Sequence, residues 1–276
     1  MENLKDKVAV VFAASGEIAG AVARSFARHG AKVYVTARNL EVVKALAQEI
    51  KANGGRAEAA KVDAMNEPEI DNFLEKVVED NGKLDAVFNG IGAGYDEMGG
   101  RPPTTLATFE QFMAPMEKIC GSQFLTSRVA AKYMMQTRSE GTILLLTAAL
   151  SRSKFPNLAG ITAASAAIEG LTRVMATEWG GDGIKVICIC SGALMETKRI
   201  FNPKQDQQEQ LMKLDLVKGS KKYNREELFA LRTTLVKAID PLHASGTDFH
   251  EAIMRCLKTA IGEVGDFFGP DPDKAE

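Results

Sequence analysis

The chain has 276 residues, of which 45% are hydrophobic and 25% charged, and its formal net charge is −2. It is therefore long enough to bury a large single core, and its mixture of acids and bases argues against nucleic acid as a partner. No run approaches the roughly 18 apolar residues of a membrane span, and the charged N-terminus lacks the apolar core of a secretory peptide, so we expect a cytoplasmic protein without a membrane partner.

Strand and helix signals alternate along the chain from its N-terminus. The first strand, Val8 to Phe12, leads through a small-residue turn into an amphipathic helix and a second strand, Lys32 to Thr36. Further strands are predicted at 57–62, 84–88, 142–147 and 184–190, with helices at 40–52, 67–79, 109–136 and 159–178. This order favours an α/β fold with a doubly wound parallel sheet of six or seven strands and helices on both faces.

The segment from Lys7 to Arg38 has the pattern of a βαβ unit, the first half of a dinucleotide-binding sheet. Here the chain resembles the short-chain dehydrogenase/reductase family, whose first turn reads T-G-x-x-x-G-x-G, although the family's glycines fall on Ala13, Glu17 and Ala19. The resemblance covers about residues 5–197 and implies a single Rossmann-type domain over 1–276. It places cofactor contacts in the first turn at Ala14, Ser15, Gly16 and Ile18.

Glu17 conflicts with this expectation, because its carboxylate stands at the helix start where a phosphate would bind. The conflict is relieved if the close approach moves to Gly16 and Gly20, so that Glu17 points to solvent and Ser15 and Gly16 offer backbone N–H groups. The alternative is that Glu17 is a favourable first-turn acid on the helix dipole. The sequence leaves both interpretations open.

Three strand ends bear on the cofactor. A neutral residue beside an Arg at the end of the second strand, here Ala37-Arg38, accommodates an extra phosphate. If a dinucleotide binds, NADP(H) is therefore preferred over NAD(H), with Arg38 on the 2′-phosphate; an exposed Arg opening a helix is the plain alternative. The resemblance further implies that Asp63 contacts the adenine ring, or else serves as a turn residue, and that Asn89 and Gly90 lie in the ligand-binding turn.

The positions that match the family's catalytic residues carry other side chains. Ile161 stands at the Tyr position and Ser165 at the Lys position of Y-x-x-x-K, Ala148 at the Ser position, and Ile119 near the Asn position. No tyrosine occurs within 134–222, so no small shift restores the pair. Losing a positioned general acid or base typically costs about 10²- to 10⁴-fold in rate, so ordinary carbonyl reduction is not expected.

Three functions remain open. The first is an NADP(H)-binding protein of the oxidoreductase family with a degenerate active site. The second is a non-redox enzyme, such as an isomerase, lyase or cyclase, that binds its substrate in the emptied pocket. The third is a non-catalytic binding or assembly subunit. A small-molecule ligand is the expected partner, and replacement proton donors would be Tyr95, Ser151, Lys154 or Ser165, each of which also has a plain structural interpretation.

The remaining signals concern assembly and the carboxyl end. Residues 198–262 are predicted to form a lid and two helices, and 263–276 a frayed tail in which a seventh strand has only a faint match. Cys188 and Cys190 lie in an apolar strand and are expected to be buried, inert thiols, and no Cys or His spacing indicates a metal site. A homodimer or homotetramer is predicted from small residues on the helix 159–178, namely Ala163, Ala164, Ala166, Ala167 and Gly170.

Overall fold

The computed structural model describes residues 4–92, 94, 97–151 and 155–191. The strands are β1 Val8–Phe12, β2 Lys32–Ala37, β3 Arg56–Lys61, β4 Ala86–Asn89, β5 Thr142–Ala148 and β6 Lys185–Ser191. The helices are α1 Glu17–Arg28, α2 Leu40–Ala52, α3 Glu67–Asn81, α4 Phe109–Pro115, α5 Ser122–Gln136 and α6 Ala159–Trp179. The predictions for Tyr95, Lys154, the lid, the carboxyl-terminal helices, the tail and a seventh strand concern residues outside these ranges.

The strands form one sheet in the order β3-β2-β1-β4-β5-β6. β1 pairs in parallel with β2 and β4, β2 with β3, and β4 with β5. The chain thus moves outward from β1 on one side, returns through α3 to β4, and then moves outward on the other side, which is the doubly wound order. This confirms the predicted fold class, with six strands in the described part of the chain.

The core lies on both faces of the sheet. On one face Val10, Val87 and Leu145 belong to a buried cluster shared with α3, α5 and α6. Because strand side chains alternate between faces, the neighbouring residues Val11 and Val33 point the other way, where α1 and α2 pack. Strands covered on both sides explain the continuous apolar runs, and their carboxyl ends share one edge of the sheet.

The predicted single helix over 109–136 is interrupted. A π-helical segment, Met116–Gly121, separates α4 from α5. The physical cause is Pro115, which ends α4 and has no N–H to donate to the carbonyl of Gln111. None of the helices in the described ranges is long and apolar enough to cross a bilayer.

Candidate functional site

The turn between β1 and α1 is closed by the main chain. Ala13 adopts a left-handed backbone with φ 55°, and its carbonyl accepts the N–H of Gly16 at 3.0 Å. Ala14 donates its N–H to the carbonyl of Thr36 at 2.9 Å, which fixes the turn to β2. If the Gly16 N–H binds a phosphate, as the sequence predicts, its hydrogen bond to the Ala13 carbonyl has to break.

The start of α1 has no side-chain cap, since its N-cap residue is Gly16. The first N–H groups of a helix have no partner within the helix, and the helix dipole adds partial positive charge there. Asn39 and Asn66 cap α2 and α3 through their side chains. The N-cap residue of α1, Gly16, has no side chain that could do the same. Glu17 is exposed and Ile18 half-buried, and exposure of Glu17 agrees with both interpretations of that residue.

At the end of β2 the predicted phosphate ligand is already paired. The Arg38 guanidinium lies 3.5 Å from the carboxylate of Glu97, with the two side chains 69% and 48% exposed. Just before it, the hydroxyl oxygen of Thr36 is buried without a hydrogen-bond partner in the described structure. The sequence did not predict the role of Glu97, because Glu97 lies 59 positions from Arg38. Only the folded structure brings its loop next to the end of β2.

Asp63 has the turn role that was the alternative to an adenine contact. Its carboxylate accepts the N–H of Met65 at 3.0 Å, and its own N–H donates to the carboxylate of Glu69 at 2.9 Å. These bonds order the segment between β3 and α3. The adenine contact stays a prediction.

Asn89 is fully buried, and both ends of its amide bind α5. Its nitrogen donates to the Ser127 hydroxyl at 3.0 Å, and its oxygen accepts the Thr126 hydroxyl at 2.9 Å. Gly90 packs so closely on α1 that a Cβ there would lie 2.6 Å from the Cβ of Ala19. This turn therefore holds β4 against two helices, and any contact of Asn89 with a ligand has to come from its main chain.

Two of the positions matched to the catalytic residues, Ile161 and Ile119, lie in one apolar cluster. Ile161, 9% exposed, shares a small buried cluster with Met98, and three partly buried side chains pack against it: Ile119, Leu150 and Leu158. The crevice beside Ile161 leaves about 20 Å³ of free space, which is room for about one water molecule. This crevice lies between α4 and the start of α6, and neither Ala148 nor Ser165 lines it.

The hydroxyl groups near this cluster are turned into the protein. Ser165, one turn after Ile161, is 3% exposed and donates to the Ile161 carbonyl at 2.9 Å. Ser151 donates to the carboxylate of Glu169 on α6. Ala148, at the end of β5, is exposed and brings no polar side chain. The one acidic side chain among these residues is that of Glu169, which accepts the Ser151 hydroxyl.

Cys188 and Cys190, near the carboxyl end of β6, are half-buried rather than buried. Their sulfur atoms are 3.9 Å apart. Hydrogen bonding to Cys190 and burial raise the pKa of the Cys188 thiol, so it stays protonated at neutral pH. This protonation state agrees with the prediction that Cys188 is inert.

A doubly wound sheet with an uncapped helix start after β1 defines a protein of the dinucleotide-fold class. The family model for short chain dehydrogenase matches residues 7–208. The chain belongs to this family.

Relatives of known name are oxidoreductases. The chain is 31% identical over 189 residues to the A-factor type gamma-butyrolactone 1′-reductase (1S-forming) of Streptomyces virginiae, covering 68% of this chain and 72% of the relative. It is 28% identical over 207 residues to the 7alpha-hydroxysteroid dehydrogenase of Escherichia coli, covering 74% and 78%. A metagenomic short-chain oxidoreductase solved in complex with NADP aligns with TM-score 0.62 and 28% identity, covering 70% of this chain and 85% of that one.

Proposed function

We propose that this protein binds NADP(H) at the carboxyl edge of β1, β2 and β4 but lacks the Tyr/Lys machinery for ordinary carbonyl reduction. Such a cofactor supplies a hydride when it is bound and a substrate is in reach. The named relatives act as a reductase and a dehydrogenase, and one solved neighbour holds NADP. These similarities support the cofactor, whereas the chemistry depends on the side chains of this chain's own site.

The residues at the edge of the sheet fit the cofactor. The uncapped start of α1 offers backbone N–H groups to a pyrophosphate. Arg38, exposed at the end of β2, matches a 2′-phosphate because a guanidinium can bind phosphate with two parallel hydrogen bonds. The buried, unpartnered hydroxyl oxygen of Thr36 is a further polar group at this edge. Glu17 is the one acid in the first turn of α1, and it is exposed.

The packing of Ile161 is the observation that carries the second half of the proposal. Proton transfer in carbonyl reduction needs a hydroxyl or ammonium group within hydrogen-bond reach of the substrate oxygen. Ile161 instead contacts Met98 and the three aliphatic side chains around it, and the Ser165 hydroxyl is used by its own helix. The side chains at these positions therefore support binding without the reductase chemistry of the relatives.

Titration of the full chain with NADPH and NADH, followed by calorimetry and by cofactor fluorescence, tests the proposal. We expect NADPH to bind more tightly than NADH, and Arg38→Gln to remove that preference. Assays with a reactive diketone should show almost no oxidation of NADPH. If neither cofactor binds at millimolar concentration, the cofactor half of the proposal is wrong; substantial turnover by the parent would overturn the other half.

A non-catalytic binding or assembly role is the second candidate, favoured by the aliphatic packing of Ile161 and by the Ser165 hydroxyl bound to its own helix. The alternative of a non-redox enzyme that binds an apolar substrate in an emptied pocket stays a prediction. Affinity purification at native expression would distinguish the roles. A stable complex with another protein supports a subunit, whereas a cofactor that copurifies with an isolated chain supports the first candidate.

We also propose that the chain forms a two-fold homodimer through α5 and α6. Phe124 on α5 and Val174 on α6 are 40% and 52% exposed, and Ala166 is exposed between small neighbours that allow close helix approach. Ala164 is buried within the chain's own fold and takes no part. Light scattering at micromolar concentration should give at least twice the chain mass, and a monomer mass would refute the dimer.

A further inference from the structure

The Glu97 carboxylate is paired with Arg38, the side chain that the proposed function assigns to a 2′-phosphate. The oxygen-to-nitrogen distance of 3.5 Å makes the contact an ion pair. Arg38 follows directly after β2, which is where the ribose of a dinucleotide lies in this fold. A ligand that brings a phosphate to Arg38 must therefore compete with a carboxylate that is already there.

The position of Glu97 is set by anchors on its own loop. Its backbone carbonyl accepts a hydrogen bond from the Lys118 ammonium, and the next residue, Met98, packs in the cluster with Ile161. Gly99 has φ 81°, and a Cβ there would stand 2.6 Å from the carbonyl oxygen of Gln111, so the loop lies tightly against α4. Because the backbone is held at Glu97 and at the two residues that follow it, the carboxylate lies within reach of Arg38.

We propose that Glu97 is a specificity-determining residue that lowers the preference of this site for nucleotides with a 2′-phosphate. In the free protein it neutralises Arg38. A 2′-phosphate that binds Arg38 displaces the Glu97 carboxylate. The displaced carboxylate stays close enough to repel the negative charges of the phosphate. An exposed ion pair is weak, so the exchange is feasible, but it subtracts from the affinity that Arg38 provides. The inference rests on the proposed function, since it assigns a second residue to the same site.

Two mononucleotides isolate this effect from the rest of the cofactor. Adenosine 2′,5′-bisphosphate carries the 2′-phosphate and adenosine 5′-monophosphate does not, and neither reaches the region of Ile161. We would measure the binding of each by calorimetry at low salt to the full-length parent, Glu97→Gln, Arg38→Gln and the double variant. Glu79→Gln, which removes one exposed acid from α3, is the control for net charge.

Glu97→Gln should bind the bisphosphate about fivefold more tightly than the parent, with binding of the monophosphate unchanged. Arg38→Gln should weaken only the bisphosphate, and on that background Glu97→Gln should lose most of its effect, because the pair acts as a unit. In about 1 M salt, where the Debye length is about 3 Å, the gain should disappear. Glu79→Gln should resemble the parent.

The outcomes separate this inference from the proposed function. If Arg38→Gln weakens the bisphosphate but Glu97→Gln leaves it unchanged, Glu97 has no role in specificity while the cofactor proposal stands. An equal gain for both nucleotides, or an equal gain from Glu79→Gln, would reduce the effect to net charge and overturn the inference. If the parent and Glu97→Gln bind neither mononucleotide nor NADPH, both proposals fail together.

Discussion

The two sides of the sheet differ in what they bring to the shared carboxyl edge. After β1, β2 and β3 the edge is polar and open: the α1 start is uncapped, and Arg38 is largely exposed. At the start of α6 the described residues form a filled, aliphatic region, with Ile161 in a buried cluster and the Ser165 hydroxyl bound to its own helix. The same fold thus carries one region suited to a ligand and one suited to packing.

This contrast indicates that binding and chemistry are separable in a doubly wound fold. Nucleotide contacts come largely from the main chain of a turn and from a helix start, which tolerate changes of side chain. Proton transfer depends on particular side chains, and replacing them leaves the backbone in place. A chain can therefore keep the architecture of its family while the site that defines the family's chemistry is altered.

The largest expected effect comes from restoring the polar side chains of the filled region. Ile161→Tyr with Ser165→Lys and Ala148→Ser would supply a phenol, an ammonium group one helical turn away and an orienting hydroxyl. If the cofactor region is intact, the triple variant should reduce a reactive diketone with NADPH about 10²-fold faster than the parent. Absorbance of NADPH measures this directly.

The matched control carries Phe instead of Tyr at position 161, with the other two changes kept. It imposes the same crowding on Met98 and Leu158 but has no phenol, so it should stay inactive. Circular dichroism and NADPH titration must show that both variants fold and bind cofactor. A folded, cofactor-bound triple variant without activity would show that the filled region differs from the relatives in shape as well as in side-chain chemistry.

Gly90→Ala tests how strongly the open region depends on close packing beneath it. The added methyl group would meet the Cβ of Ala19 at 2.6 Å and the Phe88 ring at 3.0 Å. We expect a loss of about 2 kcal/mol in the free energy of unfolding, together with weaker binding of NADPH as the α1 start is pushed from the sheet. Gly180→Ala, whose added methyl group would meet nothing within 4 Å, should be nearly neutral in urea unfolding.

Glu17→Gln distinguishes the two interpretations of the acid at the α1 start. If its charge opposes the cofactor's phosphates, the variant should bind NADPH about threefold more tightly. If Glu17 serves only the helix dipole, affinity stays the same and the free energy of unfolding falls by a few tenths of a kcal/mol. Glu110→Gln removes the equivalent first-turn acid of α4 and should change stability alone.

The smallest effect is expected from Ala13→Gly. Ala13 has φ 55°, a conformation that costs a residue with a Cβ about 1–2 kcal/mol. The greater freedom of glycine in the unfolded chain offsets part of that relief, so a net gain of about 0.5 kcal/mol is expected in urea unfolding. Ala14→Gly, at a buried neighbour without the left-handed backbone, should instead destabilise the protein.

Much of the fold was predictable because its signals are local. The bounds of β1 and of α2 agree with prediction, since a continuous apolar run marks the first and Asn39 and Gly54 flank the second. The interruption after Pro115 was missed, although a proline inside a helical pattern is itself a warning. Periodicity on either side of it was strong enough to hide the break.

The site was predictable only in part, because its partnerships are distant in sequence. Arg38 and Asp63 were proposed from their places at strand ends, and their roles toward a cofactor stay predictions, but their partners within the chain were not predicted. Glu97 lies 59 positions from Arg38, and Thr126 lies 37 positions from Asn89. The sequence alone does not show that the Thr126 hydroxyl is buried against β4, so its bond to Asn89 could not be predicted.

The π-helical segment Met116–Gly121 changes the direction in which side chains face between α4 and α5. Each of its turns holds about one residue more than an α-helical turn, and one residue corresponds to about 100° around the axis. α4 therefore presents Phe112 and Pro115 to Gly160 of α6, while α5 presents Gln123 to the carbonyl of Leu146 in β5. Because of this rotation, α4 and α5 contact neighbours that lie in different directions. Deleting one residue from the segment should therefore rotate α4 away from α6 while leaving α5 on the sheet.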